Sequence, residues 1–85
     1  MYNYEEEKPK LFTEDNQLTF LKIRDNVQRL INQAGCVRMQ EAIKCAGGDA
    51  WVLMACVDRL VELNEIREVP TNYAGQHRVF ISINN

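Results

Sequence analysis

The residues able to do chemistry in this 85-residue chain are few, and they assemble into no recognisable catalytic motif. Cys36, Cys45, Cys56 and His77 supply the donor types of a tetrahedral zinc site. They form no Cys-x-x-Cys pair, and their spacing matches no compact knuckle. Each cysteine lies in an apolar stretch, so reduced, buried thiols are the reading that zinc must displace. Ser82, the one serine, follows a strand-like run with no histidine and acid placed to activate it. Gly47–Gly48–Asp49 precedes a helical pattern whose N-terminus can hold an anion, but it lacks the glycine spacing and lysine of a phosphate-binding loop. No enzyme activity, cofactor or metal is therefore expected.

What remains is binding chemistry. The charge is −2, from ten basic and twelve acidic residues, and it is spread evenly along the chain. Autonomous DNA-binding domains are more often basic, because phosphate contacts supply most of the non-specific affinity; a local patch can replace net charge. No apolar run approaches the ~20 residues that span a bilayer. The N-terminus is acidic and lacks a signal-peptide core, so a cytoplasmic location and no membrane partner are expected.

The length suffices for one thin core. Residues 1–12, with Glu5–Glu6–Glu7 and Pro9, read as a flexible acidic arm, Leu11 and Phe12 docking at its end. Residues 13–85 read as the domain. Phe20, Ile23, Val27, Leu30, Ile31 and Ala34 recur at helical steps, with Lys22, Asp25, Asn26, Arg29 and Asn32 opposite. Thr13 is placed to cap this helix and Gly35 to end it. Val37–Arg38–Met39 alternates as a very short strand does, and residues 40–46 make a short helix broken at Gly47–Gly48. Asp49 caps a longer helix from about Ala50 to Leu63, with Leu53, Cys56, Val57, Leu60 and Leu63 inward. Asn64 sits where a helix accepts a left-handed residue. Ile66–Val69 and His77–Ile83 are expected to pair as a hairpin, with Val79, Ile81 and Ile83 on one face.

The segments GCVRMQEAI, LVELNEIREV and GQHRVFISI carry a resemblance. The second is similar to the phrase Leu-x-x-Leu-Gly-x-Ile-x-x-Val that leads the third helix of winged helix-turn-helix domains into the first wing strand. Leu60, Leu63, Ile66 and Val69 fill its apolar places, and Asn64 stands for the glycine. Over about residues 16–83 the chain resembles that superfamily. The resemblance implies an α+β fold of three helices, a short strand and a C-terminal β-hairpin wing. It also implies DNA binding by a small transcriptional regulator, with the third helix in the major groove, the wing on phosphate, and a dimer doubling the footprint.

On that implication the candidate DNA contacts are Arg38, Gln40 and Lys44 on one flank and Arg59 at the edge of the third helix. Arg67, Asn72, Tyr73, Gln76, His77 and Arg78 lie in the wing. The outward face of the third helix is poorly suited to base reading. With Leu53, Val57 and Leu60 inward, it carries Trp51, Met54, Ala55, Asp58 and Glu62, apolar first and then acidic. Carboxylates repel phosphates, whereas Trp and Met anchor protein interfaces. The alternative function is therefore a protein-interaction module docking through this face. Whether Trp51 is an anchor or packs under a neighbouring segment is open.

Overall fold

The computed structural model describes residues 1–70 and 75–83. It has four α-helices and a three-stranded antiparallel sheet. A one-turn helix α1 (Tyr4–Glu7) runs into a 3-10 helix (Lys8–Phe12), followed by α2 (Glu14–Ala34), strand β1 (Cys36–Arg38), α3 (Met39–Ala42) and α4 (Ala50–Glu62). Strands β2 (Ile66–Glu68) and β3 (Val79–Ser82) follow, with a 3-10 turn (Gly75–His77) before β3. The strand order is β1-β3-β2, so the last strand is central.

The punctuation residues do their expected work. The Thr13 side chain accepts the Asn16 N–H and opens α2. Gly35, at φ 82°, lets its N–H reach back to the Ile31 carbonyl at 2.7 Å. The Asp49 carboxylate accepts the Trp51 N–H at 2.9 Å and opens α4, while Asn64 at φ 61° turns the chain out of it. Left-handed backbone favours Gly and is tolerated by Asn, so these residues separate the elements where side chains with more bulk at Cβ resist doing so.

The core lies where α2 and α4 cross beneath the sheet. Ile23 and Val27 from α2 meet Leu53, Cys56, Val57 and Leu60 from α4, and Val37, Ile66 and Phe80 close it from the strands. Here the structure decides what the strand reading left open. Phe80 is fully buried, whereas Val79 and Ile81 are half-buried on the opposite face and Ile83 is exposed. A period of two fixes which residues share a face but not which face is covered. The helices cover the one with the large aromatic ring.

Two departures concern polar residues. The two cysteines in the first half of the domain, Cys36 and Cys45, are exposed, and only Cys56 is buried. Burial pushes the Cys56 thiol up to about 11, which keeps it protonated and inert. Among the described residues, no three His, Cys, Asp or Glu side chains are grouped to hold a metal. Asn26, placed by its polarity on the outer side of α2, is buried instead. Its Nδ2 donates to the carbonyls of Glu41 at 3.2 Å and Ala42 at 3.1 Å, both at the end of α3. Arg29 donates to its Oδ1 at 2.6 Å and fixes the amide's orientation. A four-residue helix cannot hold itself together, and this amide gives a closer donor to two terminal carbonyls that otherwise accept the Lys44 N–H at 3.4 Å and the Cys45 thiol at 3.8 Å. Asn26→Ala should lower stability by about 2 kcal/mol. Thermal unfolding checks this, and a melting temperature within a degree or two of the parent's rules out the bracing role.

Among the described residues, no helix is long and apolar enough to cross a membrane.

Candidate interaction surfaces

The outer face of α4, expected to meet DNA or a partner, is occupied by the chain itself. The segment read as a flexible arm is helical from Tyr4 to Phe12 and lies along α4. The Tyr2 hydroxyl donates to Asp58 Oδ2 at 2.6 Å. One turn further on, the Tyr4 hydroxyl donates to Glu62 Oε1 at 2.8 Å, and Lys8 Nζ binds Glu62 Oε2 at 2.8 Å. Both rings pack against the apolar cluster, and Leu11 is part of it. Met54 and Ala55, expected to face outward, are buried in the core cluster. Trp51, at the uncovered start of α4, remains 42% exposed. Apolar residues nearly all round α4 thus have a simple cause: this helix is covered on two sides.

The acidic end of that face is neutralised from within. Arg78 donates to both Asp58 oxygens, at 3.2 and 2.7 Å, and to both Glu68 oxygens, at 2.9 Å each. Its guanidinium also lies 5.3 Å from the centre of the Phe80 ring. Glu68, then Asp58, hold the Arg78 guanidinium firmly protonated against the burial that opposes it. Arg59 binds Glu62 at 2.6 Å and stacks over Phe12 at 5.5 Å. Two candidate DNA contacts, Arg59 and Arg78, are therefore committed to carboxylates of the same chain.

The other candidates separate into groups. Register places Arg67 opposite Ile81, Cys36 opposite Ile81 on the other side, and Arg38 opposite Val79. Directly opposed residues share a face, so Arg38 and Arg67 both lie on the outer sheet face, away from Arg78. Gln40 on α3 and Lys44 in the turn after it are exposed. Among the described residues, Arg38 and Lys44 form no ion pair. His77 is exposed in the 3-10 turn before β3. Asn72 and Tyr73 fall in residues 71–74, outside the described residues, and so does the side chain of Gln76.

A surface that the sequence reading missed lies at the foot of the same assembly. Phe12, Leu21 and Leu63 are exposed around a groove of about 270 Å³, whose walls include Leu11, Phe20 and Arg59. Leu18, one turn before Leu21, extends the apolar area. The signal was present: Leu18 and Leu21 fall three residues apart on the otherwise polar side of α2, out of phase with the core stripe. Leu63 looked like core because the helical phase was extended one residue past the place where α4 ends.

The contacts to Glu62 and the two tyrosines give the N-terminal segment a defined pH range. Bonds from Lys8, Tyr4 and Arg59, in that order, lower the Glu62 carboxyl from 4.5 to about 2. A carboxyl depressed on folding stabilises above its unfolded pKa, and that contribution is lost as pH falls from 4.5 to about 2. Burial, then the bond to a carboxylate, raises the hydroxyls of Tyr2 and Tyr4 above 10.0. Their contribution is present below pH 10 and lost as the solution becomes more alkaline. The segment should therefore stay seated from about pH 5 to 10 and loosen on either side. Amide protection of residues 4–8, taken relative to the intrinsic exchange rate at each pH, checks this; protection that rises or falls steadily across that range contradicts it.

No protein-family model matches the chain, and neither a curated protein nor a solved structure is significantly similar to it.

Proposed function

We propose that this chain is a small protein-docking domain of the winged helix type, working through the apolar groove beside the end of α4. The strand order, with β1 added to a β2–β3 pair and α3 and α4 following β1, supports the winged helix assignment. The observation that carries the docking role is the set of exposed Phe12, Leu21 and Leu63 around one groove, with Leu18 one turn before Leu21 on α2, all between 43% and 64% exposed. Together they present on the order of 400 Å² of apolar surface, the size of the largest patch on an ordinary monomer. That is about half the ~800 Å² each partner contributes to a standard interface, so a stable homodimer through this patch alone is disfavoured. The groove wall from Gln17 to Leu21 is one helical turn long. It suits a short amphipathic helix of a partner, with one large apolar anchor seated between α2 and the end of α4.

Selection of amphipathic helical peptides against the intact chain tests this reading. Selected peptides should lose at least about tenfold in affinity for Leu21→Glu and Leu63→Glu variants that melt as the parent does, which corresponds to about 1.4 kcal/mol. Peptides indifferent to both substitutions, or a stable dimer in solution, count against it.

A second reading, a DNA-binding regulator, is favoured by one observation: Arg38 and Arg67 share the outer sheet face, with Gln40 and Lys44 exposed on the neighbouring α3 side. A mixed-sequence duplex should then bind at 50 mM salt and weaken as salt rises. Arg38→Ala with Lys44→Ala should reduce the salt slope by about 2. Absence of binding at low salt removes this reading.

A further inference from the structure

We infer that the outer face of α4 is a second binding surface, for a lysine- and tyrosine-bearing helical segment of another protein, and that residues 1–8 are its built-in, displaceable occupant. The inference is independent of the groove described above. The face and its occupant fit by chemistry: two carboxylates one turn apart receive two phenol hydroxyls and an ammonium, at 2.6, 2.8 and 2.8 Å. Charge-assisted bonds of this kind are directional as well as strong, so the face selects donors at a fixed spacing.

The occupant is only weakly held in other respects. Glu5, Glu6 and Glu7 add three carboxylates to the same short segment, so the occupant of a face that presents two carboxylate acceptors is itself acidic. Glu7 is only 4% exposed, balanced by Lys10 at 2.9 Å, and opening returns its carboxylate to water. α1 is a single turn, which has no stability of its own away from α4. Leu11, in contrast, is fixed in the core, so the movable part ends near Pro9 and the rest of the fold keeps its packing. A competing segment with the same donors and no acidic run meets the same carboxylates with less negative charge of its own. Displacement frees Asp58 and Glu62 and uncovers the part of the apolar cluster against which the Tyr2 and Tyr4 rings pack, which gives the competitor an apolar floor.

The probe is a fluorescent peptide copying residues 1–12 with Glu5→Gln, Glu6→Gln and Glu7→Gln. Its host is the full chain carrying Tyr2→Phe, Tyr4→Phe and Lys8→Met, which lacks the donors of its own segment. The peptide should bind this variant at least tenfold more tightly than the parent chain, and Glu62→Gln in the variant should remove the gain. The peptide retaining all three glutamates should bind more weakly. Equal affinity for variant and parent, or no binding to either, overturns the inference. So does a variant that dimerises by exchanging N-terminal segments between copies. Amide exchange of the parent chain provides a measurement free of substitutions: residues 4–8 should exchange well before the centres of α2 and α4. Exchange at the same rate makes the segment part of the core and also overturns it.

Discussion

Arg78→Ala is expected to lower stability by about 3 kcal/mol, more than any other surface-proximal substitution in this chain. The guanidinium is 16% exposed and the Asp58 carboxylate it binds is 14% exposed, so both are largely withdrawn from water. Removing the arginine leaves Asp58 with only the Tyr2 hydroxyl and leaves Glu68 without its bidentate partner. A desolvated charge without compensation costs more than the pair contributes, which is why truncating one side is worse than replacing both. The truncation also strips the cation from the face of Phe80, the ring at the centre of the sheet's inner surface. For a domain of this size the midpoint should fall by roughly 12–24 °C. Arg78→Met with Asp58→Asn should recover at least half, because the Tyr2 hydroxyl keeps an acceptor and the one carboxylate left without its arginine, Glu68, is 37% exposed to water. A shift of only a few degrees for the single variant would place the network in solvent and return Arg78 to the pool of cations able to meet phosphate.

The same residue shows where reading along the chain stopped being informative. Gly35, Asp49 and Asn64 were legible because each acts on its own backbone within a few residues. The helices, the short strand after Gly35 and the terminal strand followed from periodicity for the same reason. Arg78, by contrast, reads as an exposed wing cation until the sheet turns it toward the helices and brings it to Asp58, twenty residues away. Tyr2 and Asp58 are separated by fifty-six residues, and nothing local in either signals the other. An acidic, proline-containing N-terminus has the composition of an arm, and its helical turn exists only because α4 offers acceptors and an apolar surface. The amphipathic stripe of α2 located the core but also hid the groove, since attention to the in-phase residues passes over Leu18 and Leu21. Asn26 was misplaced by its polarity alone: its role depends on where two carbonyls of a different helix end.

The coverage of α4 can be read from two substitutions at neighbouring positions. Met54→Ala should cost about 2–3 kcal/mol, while Trp51→Ala, the larger truncation, should cost about 1 kcal/mol or less. The order reverses what side-chain size suggests, and its cause is the cover over the helix. Met54 is 7% exposed, whereas Trp51 stands one turn earlier, beyond the reach of the Tyr2 and Tyr4 contacts, and is 42% exposed. Truncating Met54 opens a cavity that the fixed backbone around it cannot fully close, and cavity formation adds to the lost transfer free energy. Truncating Trp51 returns to water a surface that was already half there. Where the N-terminal segment supplies part of that cover, loosening the segment lowers the cost of truncating Met54, and a double-mutant cycle reads this directly. In a cycle with Tyr4→Phe the two effects should sum to less than their separate values by more than about 0.5 kcal/mol. Additivity within error, together with a Trp51→Ala cost as large as that of Met54→Ala, would mean that α4 is covered along its whole length by something other than residues 1–8. Non-additivity with the predicted order ties the burial of this face to an element held by three polar bonds, the property that makes the face available to another occupant.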